Sequence, residues 1–373
     1  CNKYKDFSSL NKKLNDLYGA SIGADISKVG DVEAITISAA FLDSRYTLYN
    51  EDTFSEITKL LCNMLFEPNL VDGKFPLNII EQEKRQLVEL IESEMNDKKT
   101  LARNRCIELM CQGEKFSINK YGTKNQVLNL KSDDIYKAWQ NILKTAKIEI
   151  MIVGESDGLS ALEVFKKEFS KIKREKIVEC SSDIISLAEK VKEKTDIIEV
   201  AQSKLVIGFR TGGEKSIQDT MATRLMTALY GVSPQSKLFL NVREKLSLCY
   251  YCAALYDRYK EIMLVQSGVK NQIIKKAKDE ILNQLNEIKE GNFTDDNLKS
   301  IKLNLINNKQ TVGDYIGNLE IFYIPDFLDN FLLSPEDFIS MLNQVTREQV
   351  IKAANMVTLD TIYVLTGKEE AQI

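Results

Sequence analysis

Among the side chains able to do covalent or acid–base work, this chain is rich in cysteine and carboxylate and wholly without imidazole. Its 373 residues include Cys1, Cys62, Cys106, Cys111, Cys180, Cys249 and Cys252, and no His. Without imidazole there is no Ser-His or Cys-His nucleophile pair, no His general base and no His ligand for zinc. Most hydrolase mechanisms are therefore excluded for these residues. Cys249-x-x-Cys252 has the spacing of a redox or metal pair. A strand is predicted there, however, in which residues i and i+3 point to opposite faces. No second pair matches it, so structural thiols are expected, and the same holds for Cys106 and Cys111 near a helix end. Glu81, Glu83, Glu89, Glu92 and Glu94 share a helix with Lys84 and Arg85, a pattern of solvated charge pairing rather than of acid–base chemistry. Gly208, Gly212 and Gly213 lack the Gly-Lys-Ser/Thr that would complete a phosphate loop. Asp133 and Asp134 read as helix caps, and the single Trp139 as core.

These residues are positioned by a chain of ordinary globular make-up. Charged residues are 28% and hydrophobic ones 44%, with 50 Lys+Arg against 54 Asp+Glu. Such a balance excludes a disordered or collagen-like chain and argues against a dedicated nucleic-acid binder. No run reaches about 18 apolar residues, so no membrane span is expected. No basic-then-apolar leader opens the chain, which begins on Cys1. Odd, scattered cysteines fit a reducing cytoplasm.

Helical periodicity predicts a helix from Phe7 to Tyr18, capped by Ser8 or Ser9, and further helices at Thr53–Leu65, Asn78–Met95, Lys99–Met110 and Ser132–Leu143. Alternation predicts a hairpin, Ser21–Lys28 and Glu33–Leu42, around Val29-Gly30-Asp31-Val32. Ile148–Val153 reads as a buried strand. The charge-rich stretch 169–199 reads as a linker with one short helix at Ile184–Val191. Strands follow at Ser203–Phe209, Leu248–Tyr256, Glu261–Val269 and Thr361–Leu365, and helices at Ile217–Tyr230, Leu238–Lys245, Gln272–Ile288, Asp295–Gln310, Pro335–Leu342 and Arg347–Met356. Two segments echo each other: SDDIYKAWQNILKTAKIEIMIVG and TREQVIKAANMVTLDTIYVLTG. Each is a capped helix, a polar connection, an apolar strand and a Gly. The expected fold is α+β with two homologous domains, 1–168 and 200–373, each an antiparallel sheet with helices packed on one face.

Several stretches together resemble one family. LNKKLNDLYGASIGADIS, EQEKRQLVELIESEMNDKKTLARN, YGTKNQVLNLKSDDIYKAWQNIL, QSKLVIGFRTG and YGVSPQSKLFLNVREKLSLCYY are similar, in order and spacing, to segments of the insulinase- and pitrilysin-type (M16) metallopeptidases and their non-catalytic relatives. Active members of that family use an inverted His-x-x-Glu-His motif and a downstream Glu to hold zinc. By resemblance, the motif helix would lie before Cys1. The downstream ligand would fall about seven residues after the Glu of an Glu-Lys pair; here Glu83-Lys84 leads to Leu90. Glu89 and Glu92 are about 100° and about 200° round the helix from that position. Leu cannot bind zinc, so the resemblance implies a zinc-less homologue.

The resemblance also implies an Arg and a Tyr, seven apart, that reach over a partner's site; VREKLSLCY supplies Arg243 and Tyr250. Arg243 would bind a substrate carbonyl or steer acidic groups. Tyr250 would donate to a developing oxyanion, an interaction of about 2.7–4 kcal/mol per donor. Without the resemblance, Arg243 is a surface cation beside Glu244 and Tyr250 a packed strand aromatic. The expected protein is a non-catalytic subunit of an M16 zinc peptidase heterodimer, cytoplasmic and without a cofactor of its own, with zinc in the partner. Its other partner would be a peptide or unfolded polypeptide; neither nucleic acid nor membrane is expected. The alternatives are an active zinc endopeptidase whose metal helix precedes residue 1, and a structural subunit with no part in proteolysis.

Overall fold

A computed structural model of the chain describes residues 1–155, 158–324 and 332–368. In chain order its helices are α1 (Phe7–Asp16), α2 (Thr53–Phe66), α3 (Leu77–Ser93), α4 (Lys98–Met110), α5 (Lys124–Asn129), α6 (Ser132–Thr145) and α7 (Leu159–Phe169). They continue with α8 (Ile217–Thr227), α9 (Ile274–Lys289), α10 (Asp295–Gln310), α11 (Ile316–Tyr323), α12 (Pro335–Gln344) and α13 (Arg347–Met356). The strands are β1 (Ser21–Val29), β2 (Val32–Ala40), β3 (Lys192–Ile197), β4 (Ser203–Arg210), β5 (Tyr251–Asp257), β6 (Ile262–Val269) and β7 (Thr358–Thr366). Among the described residues the fold is α+β, with two sheets. Its chain forms two compact units: Cys1–Lys28, Glu33–Glu92 and Lys120–Cys180 in the first, and Val29–Val32, Ser93–Asn119 and Ser181–Ile373 in the second.

In the first unit, β1 and β2 make a two-stranded sheet. α1 starts where the Asp6 carboxylate accepts the Ser9 backbone N–H at 2.7 Å, so the cap is Asp6 and not Ser8 or Ser9. Likewise α6 is preceded by Lys131, which gives no side-chain cap, while Asp133 pairs with Lys74. Acidic residues in the first turn still favour the helix through its dipole. The small core joins Leu17, Ala20 and Ile57 to Leu14, Phe41 and Leu61. Phe66 of α2 meets Phe169 of α7 edge-on at 4.9 Å between ring centroids. Ile148–Val153 takes no strand conformation, contrary to expectation, and Ile148, Ile150 and Ile152 stand about as exposed as one another, at 38–41%. Alternating apolar residues make a strand only where a neighbouring strand takes up the backbone N–H and C=O groups, and among the described strands β1 and β2 pair only with each other.

The second unit holds a five-stranded sheet in the order β3-β7-β4-β6-β5. β7, β4, β6 and β5 pair antiparallel, and β3 runs parallel to β7. Both faces of this sheet are covered, which corrects the expected one-sided packing. On one face Leu205, Ile207, Phe209, Met263, Val265 and Ile362 pack against Leu225, Ile281, Leu285, Leu342 and Val350 of the later helices. On the other face Val206, Ile262, Leu264, Tyr363 and Leu365 pack against Leu101, Ala102, Cys106 and Met110 of α4. Each fully buried aliphatic side chain contributes about 1.5–3 kcal/mol. β6 is consequently buried at every residue, as a strand covered on both faces must be.

These units differ from the division expected from the sequence. Residues 93–119 join the second unit because α4 closes its sheet. The stretch read as a linker splits at Cys180, and its latter half contributes β3 where no strand was predicted. Ile184–Val191 is not helical. Lys192-Glu-Lys-Thr-Asp-Ile is the charged alternation of an edge strand, which reads in the sequence as a solvated run.

Candidate functional site

Leu90 lies on α3 in the first unit, where it borders an apolar cleft of about 340 Å³ with Ile80, Leu87, Val127, Leu130 and Ile135. The one carboxylate of the lining, Glu83, stands beside the Lys84 cation, which disfavours a dication. Glu83 and Lys84 reach the rim, and Glu92 is engaged by Lys124. Among the described residues no group of three or more His, Cys, Asp or Glu gathers as a metal site would require. The donors around Leu90 therefore do not fit zinc.

Arg243 and Tyr250 belong to the second unit, at the sheet's β5 edge. Leu238–Lys245 forms as predicted but with π-helical pitch, Leu246 donating its N–H to the Asn241 carbonyl at 3.0 Å. Wide turns of this kind recur at functional sites. Leu238 and Val242 anchor the turn in the core, leaving Arg243 facing outward with its side chain 41% exposed. Its guanidinium lies 4.6 Å from the Phe239 ring centroid and 3.5 Å from Glu244. The guanidinium thus has an aromatic face on one side and the Glu244 carboxylate beside it. Tyr250 is 59% exposed, so its phenol is not the packed core aromatic of the alternative reading. Its neighbour Tyr251 is the packed one: burial raises that phenol to about 12, and Lys99 and Lys204 lie over its ring at 4.9 and 5.6 Å.

The backbone at Tyr250 is irregular. Its N–H donates to the Gly268 carbonyl at 2.9 Å, while Tyr251 is the residue registered opposite Gly268. Two residues thus oppose one, the signature of a β-bulge. β5 begins at Tyr251 and not at Leu248 as predicted, and the extra residue shifts the side-chain phase by one. Cys249 and Cys252, expected on opposite faces, both enter the same buried cluster.

A charge cluster in the second unit escaped the sequence reading. Arg210, at the end of β4, gives Nε to Asp360 at 2.8 Å and Nη2 to Glu114 at 2.6 Å. Lys260, wholly buried in the β5–β6 turn, meets Asp31 at 3.1 Å and Glu114 at 2.8 Å. Burial alone would raise the Glu114 carboxyl, but hydrogen bonds from Arg210 and Lys260 outweigh it and hold the group below the usual range. Asp31 sits in the turn Val29–Val32, where Gly30 has φ +55° and a Cβ would fall 2.0 Å from Ser182 Oγ. The turn is therefore seated by glycine and pinned by ions. Its only sequence signal was charge at the ends of otherwise apolar strands.

Among the described residues no helix is long and apolar enough to cross a membrane. Residues 129–305 match the family model described as "Peptidase M16 inactive domain". A Bacillus subtilis (strain 168) protein described as "Probable inactive metalloprotease YmfF" is 28% identical over 364 residues, spanning 98% of this chain and 85% of that one. A conserved protein from Enterococcus faecalis V583 superposes with a TM-score of 0.90 at 26% identity, covering 100% of this chain and 87% of its own. The peptidase M16 inactive domain from Pseudomonas fluorescens superposes with a TM-score of 0.78 at 15% identity, over 100% of this chain and 87% of its own.

Proposed function

We propose, from the premise that this chain is an inactive M16-like peptidase homologue, that it serves as the non-catalytic half of a peptidase pair and holds extended peptide for a zinc-bearing partner. The observation that carries this reading is the outer edge of β5. Among the described strands β5 pairs only with β6, so its other edge offers backbone N–H and C=O groups to an added strand. Peptides are commonly held this way, the main chain giving affinity and alternate side chains giving selectivity. Tyr250 and Arg243, both outward-facing, lie just before this edge, and Leu255 within it is 49% exposed. In this reading the Arg243 guanidinium donates to a peptide carbonyl or carboxylate. The Tyr250 hydroxyl donates to the carbonyl oxygen under attack, while Leu90 in place of a ligand leaves metal chemistry to the other chain. Seven free thiols accord with a cytoplasmic setting.

The test is to mix this chain with an M16 peptidase that carries the His-x-x-Glu-His zinc motif and follow cleavage of an unstructured peptide. Cleavage should need both chains, with zinc copurifying only with the partner. Tyr250→Phe should lower kcat/KM on the order of tenfold or more, and Arg243→Ala should weaken it too. Unchanged cleavage in both variants would remove the catalytic-support role. Stoichiometric zinc and cleavage by this chain alone would overturn the reading entirely.

A further inference from the structure

Cys249 and Cys252 would be unremarkable thiols if β5 were regular, for the strand would point them apart. The bulge at Tyr250 and Tyr251 turns them to one side, and both are buried, at 9% and 5% exposure. Cys252 stands opposite Ser267 on β6, and Cys249 enters the same buried cluster as Cys252. Ser267 is fixed in turn, its hydroxyl donating to the Tyr251 carbonyl at 3.0 Å. We propose that Cys249 and Cys252 form a redox-active dithiol that closes to an intrachain disulfide by exchange with a small-molecule disulfide.

The two sulfurs are not equivalent. The hydrogen bond with Cys252, and then Ser267 and the nearby Arg243 cation, hold the Cys249 thiol below its ordinary value against the effect of burial. The same hydrogen bond and its own burial push Cys252 far up. Cys249 is thus the attacking thiol and Cys252 the resolving one. In the first step Cys249 gives its proton to solvent and its thiolate attacks one sulfur of the small disulfide. That S–S bond breaks, a mixed disulfide forms and one small thiolate leaves and is protonated. In the second, Cys252 loses its proton, attacks Cys249 Sγ and expels the other small thiolate, which is protonated in turn. Two protein thiols are oxidised and one small disulfide is reduced to two thiols. The closed ring contains Tyr250 and Tyr251, so its redox state fixes the bulge from which Tyr250 projects. The inference stands on the thiols alone and does not require the peptide-holding role.

The remaining cysteines provide an internal contrast. Burial raises Cys62 to about 11 and Cys111 to about 12, and raises Cys106 strongly. The test is to incubate the reduced full chain with oxidised glutathione, block with iodoacetamide, digest with trypsin without reductant and weigh the peptide from Leu246 to Arg258. It should lose two hydrogen masses, and its alkylation should fall about tenfold. In Cys252→Ser the same peptide should instead carry glutathione on Cys249. A wild-type peptide that stays doubly alkylated, or that keeps glutathione without closing, would overturn the proposal. The wild-type digest decides even if the variant fails to fold.

Discussion

Replacing Lys260 by Met would leave the buried Asp31 and Glu114 carboxylates without their shared cation. Breaking a buried ion pair from one side costs about 3–5 kcal/mol, because the stranded charge keeps its desolvation penalty. The urea midpoint of Lys260→Met should fall accordingly, whereas an exposed pair such as Lys166–Glu163 should cost less than about 1 kcal/mol when broken. The same cluster sets a pH dependence. The folded Glu114 carboxyl lies below its unfolded value, so the unfolded chain takes up the proton first as acid is added. Its contribution is full above the ordinary carboxylate range and disappears as pH falls through the folded value. Asp257, raised by burial, works in the opposite sense, favouring the folded chain at low pH. A difference measurement separates them: the loss of urea stability between about pH 7 and about pH 4 should be smaller in Glu114→Gln than in the wild type. At this scale little was legible. Arg243 and Tyr250 could be located by motif, but no spacing rule announces that a bulge will bring Cys249 onto the face of Cys252. Nor does an Asp in a Gly-Asp turn reveal that a lysine 229 residues away will bury it.

The support for Arg243 and Tyr250 comes from the elements beneath them, and Gly231 is one place where those elements approach closely. A Cβ at Gly231 would lie 2.7 Å from Leu238 Cδ1 and 2.8 Å from the Ala254 backbone N. Leu238 anchors the π-helical turn that carries Arg243, and Ala254 is fixed by its ladder to β6. Neither can give way freely, so Gly231→Ala should cost about 1–3 kcal/mol as overpacking. It should also lower peptide cleavage in the assay above, and both effects can be read from denaturation and cleavage measurements on the one variant. The elements themselves were mostly legible. Reciprocal caps such as Thr294 with Asn297 and Thr346 with Gln349 mark α10 and α13, and those helices begin and end where periodicity put them. Strands were less so, because a strand is a statement about its neighbours. Ile148–Val153 has the pattern and no pairing, and Lys192–Ile197 has the pairing beside β7 and little of the pattern.

At the scale of the molecule, the decisive fact is that α4 covers a sheet whose strands begin about a hundred residues later. A fragment cut at the expected boundary, residues 200–373, would lack both α4 and β3. It would expose Val206, Leu264, Tyr363 and Leu365 to water. Such a fragment should bind a hydrophobic dye and lose a sharp thermal transition, while the full chain melts cooperatively. The α+β class could be read from the alternation and the periodicity. The route of the chain could not, since nothing in the sequence of α4 says which sheet it will cover.

The position of β7 between β3 and β4 bears on how the protein is made. Synthesis proceeds at about 5–20 residues per second, and the strand that joins the two neighbours is Thr358–Thr366, near the end of the described chain. Until it emerges from the ribosome, β3 and β4 have a gap between them and α4 has half a surface to rest on. Nascent chains of this protein should therefore keep chaperones bound until β7 has emerged and release them in one closing event governed by its arrival.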